Sequence, residues 1–144
     1  MTIHTGGCHC GAIRLRYRSE VPAAEHAVRA CQCDFCRKHG SRAISDPQGL
    51  TEITVLDGMK MSPYRFGFRT ADYIVCRECG VYVAAVMTEG DRAWSVTIVS
   101  ALDDAADFTG RPSRSITPRS RTRSARRATA PAGRRPSSRV MFEQ

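Results

Sequence analysis

A chain of 144 residues with 42% hydrophobic residues and a formal charge of +8 has the size of one small domain and an apolar share a little below the globular norm. No apolar run approaches 18 residues, which excludes a membrane-spanning helix. The start of the chain has no basic stretch leading into an apolar one, so a cytoplasmic, reducing setting is the expectation.

The charge belongs to one end. Residues 111–144 hold ten arginines and a single acid, Glu143, whereas residues 1–110 hold 12 basic and 13 acidic groups. The basicity therefore marks no nucleic-acid face on the domain. The predicted elements begin after Cys8-His9-Cys10-Gly11. In Ala12–Arg18, Ile13, Leu15 and Tyr17 alternate with Arg14, Arg16 and Arg18, the pattern of a half-buried strand with a solvated basic face. Pro22 interrupts any longer element. Ala27–Ala30 is a short strand delivering Cys31, and Arg37–Gly40 is a brief helical turn stopped by glycine. Ile53–Leu56 is β-branched and ends at Asp57-Gly58, a turn signal. Tyr64, Phe66 and Phe68 alternate after Pro63. Asp72–Val75 runs into Cys76, Val81–Val86 follows Cys79-Gly80, and Trp94–Val99 alternates again. Short strands at this spacing, with no helix of ten residues before residue 100, predict an antiparallel all-β domain. After Gly110 the composition turns to Arg, Ser, Pro, Thr and Ala with no apolar period. Residues 1–110 are therefore the expected domain. Residues 111–144 are the expected disordered tail, with at most weak anion binding.

The seven cysteines carry the chemistry, and none stands alone: Cys8 and Cys10, then Cys31, Cys33 and Cys36, then Cys76 and Cys79. Thiolates crowded in this way repel one another unless a soft cation neutralises them, and Zn²⁺ does so with four ligands in a tetrahedron. An odd number in a reducing setting speaks for metal rather than disulfides. Seven divides into four, which close a structural site, and three, which leave a coordination position open as catalytic zinc sites do. Each two-thiol corner needs a second corner, and spacing alone leaves the pairing open. Cys76-x-x-Cys79-Gly80 has the form of a zinc knuckle, with glycine supplying the turn. His9 lies between two ligands and reads as an exposed neighbour of a complete thiol set. Arg37 and Lys38, beside the triplet, are candidates for attracting a carboxylate-bearing thiol. His39 is a candidate acid/base. His4 and His26 carry no argument.

Gly7-Cys8-His9-Cys10-Gly11-Ala12-Ile13, Cys31-x-Cys33-x-x-Cys36-Arg37 and Cys76-x-x-Cys79-Gly80 together resemble the glutathione-dependent formaldehyde-activating enzyme family, which includes centromere protein V. The resemblance covers roughly residues 5–102. It implies a β-rich, Mss4-like fold (a β-tent of antiparallel sheets held by zinc) with two zincs per chain. It also implies that Cys8, Cys10, Cys76 and Cys79 bind the structural zinc, and that Cys31, Cys33 and Cys36 bind the second, open one. Glutathione or a similar thiol and an aldehyde are the implied partners, in carbon–sulfur lyase chemistry. The chain departs from the family past its last strand, where members continue with aromatic residues and this chain has its Arg/Ser/Pro stretch. Such a stretch is what a shifted reading frame in a GC-rich gene would produce. Two other functions fit the same cysteines: a non-catalytic zinc module, binding or chaperone-like, and a redox or metal-storage cluster.

Overall fold

The computed structural model of the chain describes residues 1–115 and 138–143. Two strands open it, β1 (Thr2–Gly7) and β2 (Ile13–Ser19), paired antiparallel from Thr2–Ser19 to Gly7–Arg14. Ile13, Leu15 and Tyr17 of β2 are buried and Arg14 and Arg16 exposed, because side chains along a strand point alternately to its two faces. The basic face is not idle. Arg16 and Arg18 both reach Glu52 across the next strand, which is β5 (Leu50–Val55), antiparallel to β2.

Between β2 and β5 the chain runs through β3 (Arg29–Cys31), the one-turn helix α1 (Asp34–Lys38) and β4 (Ala43–Ile44). It then forms a meander of β6 (Met61–Tyr64), β7 (Asp72–Cys76), β8 (Tyr82–Glu89) and β9 (Arg92–Ile98). One edge of β9 pairs with β8, and the other meets β4 at Ile98 and Thr97. Ile13, Leu15, Ile53, Ile74, Val83, Val86 and Ile98 form the main core, and the cysteines sit at its rim. A smaller core gathers Tyr17, Val28, Ile44, Val99, Leu102 and Phe108. Thr51 of β5 and Ser95 and Thr97 of β9 are fully buried but pair their hydroxyls at 2.9 and 3.1 Å, which offsets the cost of burying them.

The all-β expectation holds, and α1 is the only α-helix among the described residues. Two stretches differ from the sequence reading. The alternation of Tyr64, Phe66 and Phe68 does not extend a strand: β6 ends at Tyr64, and the backbone turns left-handed at Gly67 (φ 58°) and Arg69 (φ 55°). Tyr64 and Phe66 pack on the Phe35 ring, whereas Phe68 is exposed. Of the expected disordered tail, residues 116–137 and 144 lie outside the described residues. Ser113–Ser115 forms β10, parallel to β3, and Ser138–Glu143 forms β11, parallel to β5 and antiparallel to β9. Strands that share existing sheet edges need little apolar periodicity of their own, since the backbone hydrogen bonds are supplied by the edge. The sheet therefore extends past Gly110, and it is not purely antiparallel.

The smaller core holds two histidines that carried no argument in the sequence. His4 bonds Asp104 at 2.5 Å, and His4 and His26 both pack on Tyr17 and Phe108. Burial pushes His26 below its ordinary 6.5, with His4 adding to the effect, while Asp46 and the Val21 backbone oppose it. A base with a lowered folded-state pKa binds its proton more readily when unfolded. Its stabilisation is therefore complete above about pH 6.5 and is lost as pH falls from there towards the folded value. Thermal stability of metal-loaded protein is expected to fall from pH 7.5 to 5.5, and His26→Phe to remove part of that slope. Differential scanning calorimetry of the two proteins, with zinc content measured at each pH, checks it. Parallel slopes would dissociate His26 from the effect.

Candidate metal centres

The first centre is made by two corners of similar backbone design, 66 residues apart at the nearest thiol pair. At one, the Cys8 N–H donates to the Ile13 carbonyl, and the Gly11 N–H to the Cys8 carbonyl. At the other, the Cys76 N–H donates to the Val81 carbonyl, and the Gly80 N–H to the Cys76 carbonyl. Gly11 (φ 80°) and Gly80 (φ 74°) both adopt left-handed backbone. A shift in pairing register between Ile74 and Val75 breaks the ladder just before Cys76, as β-bulges do where a strand must be re-aimed.

The sulfurs of Cys8, Cys10, Cys76 and Cys79 all lie within 4.8 Å of one another. Cys10 is 3.6 Å from Cys8 and 3.5 Å from Cys76. A tetrahedron with metal–sulfur bonds of about 2.3 Å has edges of about 3.8 Å, so the donor set fits zinc. The Ile13 N–H points at the Cys8 sulfur at 3.2 Å, the type of donor that stabilises a thiolate. The bare thiols share their protons unequally. At Cys10 the Ala12 backbone donor pulls the pKa down. Burial and the thiols of Cys76, Cys8 and Cys79 outweigh it and push the value up to about 12. At Cys79 burial opposes, but backbone donors from Val81 and Cys10 and the thiols of Cys76 and Cys10 hold it at about 6. Of these two, Cys79 gives up its proton the more readily, and metal binding must displace the proton of Cys10. His9 is exposed and stands outside the four-sulfur group.

Ala substituted at Gly80 meets no atom within 4 Å, so its cost is the left-handed backbone alone, about 1–2 kcal/mol. Gly80→Ala is expected to lower stability by that amount without loss of zinc, and chemical denaturation of metal-loaded protein measures it.

The second centre lies on one loop. Cys31 ends β3, Cys33 caps α1, and Cys36 sits within it. Their sulfurs also lie within 4.8 Å of one another. The Cys33 sulfur accepts from the Cys36 N–H at 3.4 Å, so the cap of the helix is also one of the three sulfurs that could hold a metal. The Cys36 thiol is pushed far up, first by its hydrogen bond to the Cys31 thiol and then by burial. Phe35, between two of the thiols, anchors the loop. Its ring centroid lies 4.4–5.5 Å from those of His39, Tyr64, Phe66, Tyr73 and Tyr82, within the range of favourable aromatic pairs.

A cavity of about 280 Å³ opens beside this triplet, lined by Cys31 and Cys36 together with Arg29, Tyr73, Tyr82 and Met87 among others. A larger cavity of about 810 Å³ borders β1 and β2, but of the seven thiols it touches only Cys8. The smaller one is therefore the one beside the three-thiol cluster. Burial, with the neighbouring thiols of Cys36, Cys33 and Cys31 adding to it, pushes Tyr73 up to about 12; burial, with Cys36, Tyr73 and the other two thiols adding to it, pushes Tyr82 further in the same direction. Both phenols stay protonated at neutral pH and can donate.

Of the candidates beside the triplet, Arg37 is paired with Asp34 at 2.6 Å on the solvent side, Lys38 is exposed, and His39 stacks on Phe35. None of the three lines the cavity. The residues that do, Arg29, Tyr73 and Tyr82, were missed in the sequence. The signal for Arg29 was its place two residues before Cys31 on one strand, and hence on the same face.

The family described as glutathione-dependent formaldehyde-activating enzyme matches residues 3–118. A crystal structure of a protein from Rhodobacter sphaeroides is similar, with 28% sequence identity, a TM-score of 0.55, and coverage of 69% of this chain and 87% of its own.

Proposed function

The chain belongs to the glutathione-dependent formaldehyde-activating enzyme family, and on that premise we propose that it is a zinc-dependent carbon–sulfur lyase-type enzyme. Its substrate would be the adduct of an aldehyde with a glutathione-like thiol. The observation that carries this reading is the difference between the two thiol groups. Four sulfurs satisfy a tetrahedral ion, while three sulfurs beside a cavity leave one position for a ligand that is not protein.

In this reading Cys8, Cys10, Cys76 and Cys79 hold a structural zinc, and Cys31, Cys33 and Cys36 the second. Zinc at the triplet would supply a Lewis acid that lowers the pKa of a substrate thiol. In the forward direction the thiol sulfur bonds to the aldehyde carbon, the carbonyl π bond breaks, and the oxygen takes a proton equivalent to the one the thiol gives up. The reverse reaction breaks the same carbon–sulfur bond. Tyr73 and Tyr82 line the cavity as protonated phenols, suited to donate to the oxygen as charge develops on it. The Phe35 ring cluster closes one side of the thiol loop against water. His39 remains an exposed candidate for returning a proton, and Arg37 and Lys38 contribute only a diffuse positive field at the rim.

The test is exchange NMR of isotopically labelled formaldehyde with glutathione. Zinc-loaded protein is expected to accelerate interconversion of free and thiol-bound aldehyde. A rate equal to that in buffer, at full zinc occupancy, would refute the reading.

A further inference from the structure

Arg29 lines the cavity, and none of the other described residues lining it is an acid. It shares a face of β3 with Cys31, two residues on, and its backbone is pinned on one side by Ala43 of β4 and on the other by Ser113 of β10. It is the one formally charged side chain in the cavity lining besides the thiols. The remaining surface is made of hydroxyls (Ser41, Thr70 and the two tyrosines) and of alanine, methionine, valine and isoleucine. Its guanidinium donates to the Ser45 hydroxyl at 2.8 Å, a neutral partner. Among the other described residues, Arg16 and Arg18 pair with Glu52, Arg37 with Asp34 and Arg65 with Asp72. Among the described residues no carboxylate lies within ion-pair distance of Arg29.

A half-buried guanidinium held by one hydroxyl retains most of its five donors for a ligand. Its planar fork matches a carboxylate with two parallel hydrogen bonds, and a partly apolar wall strengthens that pairing relative to water. We infer that Arg29 is the specificity-determining anchor of the cavity, and that it selects thiols carrying a carboxylate over neutral thiols of the same size. This rests on the reading of the triplet as the substrate site. A volume of about 280 Å³ sits at the small end of ligand sites. It suits the thiol end of a substrate and one carboxylate arm, with any further part of the molecule outside.

The experiment compares 3-mercaptopropionate with its neutral amide, 3-mercaptopropionamide, by isothermal titration into zinc-loaded protein, with zinc content measured before and after. The acid is expected to bind about tenfold more tightly than the amide, the scale of one charge-assisted hydrogen bond. That preference should shrink as salt is raised. Arg29→Gln should bring the two thiols to equal affinity by weakening the acid more than the amide. Arg29→Lys should keep part of the preference, because the charge remains and the fork does not. If Arg29→Gln fails to fold, Arg29→Lys and the salt series in the unaltered protein decide. A preference that is absent in the unaltered protein, indifferent to salt, or fully retained in both variants overturns the inference. Binding of both thiols with equal affinity would leave the triplet reading standing and remove only Arg29. Binding of neither removes both.

Discussion

Cys76→Ser is expected to abolish the cooperative unfolding transition of the domain. Cys76 is 1% exposed, ends β7 in the middle of the sheet, and lies 3.5 Å from the Cys10 sulfur of the other corner. The four-thiol group thus ties the β1–β2 hairpin to the β7–β8 hairpin across 66 residues of chain. A structural zinc contributes about 10–16 kcal/mol in small zinc-folded peptides, as much as or more than the whole stability of about 5–15 kcal/mol for an ordinary domain. Losing one of four thiolates, and placing a hydroxyl among three others in a buried site, leaves too little to hold the core. Far-UV circular dichroism melts with zinc analysis check it. A variant that melts like the parent with its zinc retained would show that the corners are held by packing alone.

Cys36→Ser is expected to give the opposite pattern, with loss of one zinc per chain, loss of thiol binding and aldehyde exchange, and a melting temperature close to the parent. The three sulfurs come from a single stretch of chain, and that stretch is anchored on β6, β7 and β8 by Phe35 and its ring partners rather than by thiols of a second corner. Serine keeps the Cys36 N–H bond to the Cys33 sulfur available, so the cap of α1 survives. The effect on exchange should exceed a hundredfold, because the fourth-ligand chemistry needs all three protein donors to hold the ion. Zinc stoichiometry, calorimetric melts and exchange NMR on one preparation measure all three. Equal loss of stability in Cys36→Ser and Cys76→Ser would abolish the division into a structural and a reactive centre.

The sequence by itself determined the elements whose evidence is local. Ile13, Leu15 and Tyr17 alternate with arginines, and a half-buried strand follows from the two-residue period of the pleat. Cys76-x-x-Cys79-Gly80 announces a corner, because a tight turn around a thiol needs the left-handed freedom of glycine at its end. The crowding of seven thiols in three clusters announced metal chemistry, since thiolate repulsion is a property of the residues wherever the chain takes them.

What only the tertiary structure decided depends on contacts between residues far apart in the chain. Which corner faces which is set by how the β1–β2 hairpin comes to lie against the β7–β8 hairpin, a meeting of thiols 66 residues apart that no local spacing encodes. Arg37 and Lys38 follow Cys36 directly, but a helical turn carries them to the solvent side of the thiol cluster. Arg29 enters the cavity because a strand puts residues two apart on one face. Tyr73 and Tyr82 arrive from β7 and β8, 37 to 51 residues from the cysteines of the triplet. The strands at Ser113–Ser115 and Ser138–Glu143 escaped notice because their pairing comes from edges offered by β3, β5 and β9. Backbone hydrogen bonds carry no side-chain signature, so a strand held chiefly by an existing edge is legible only once that edge has formed.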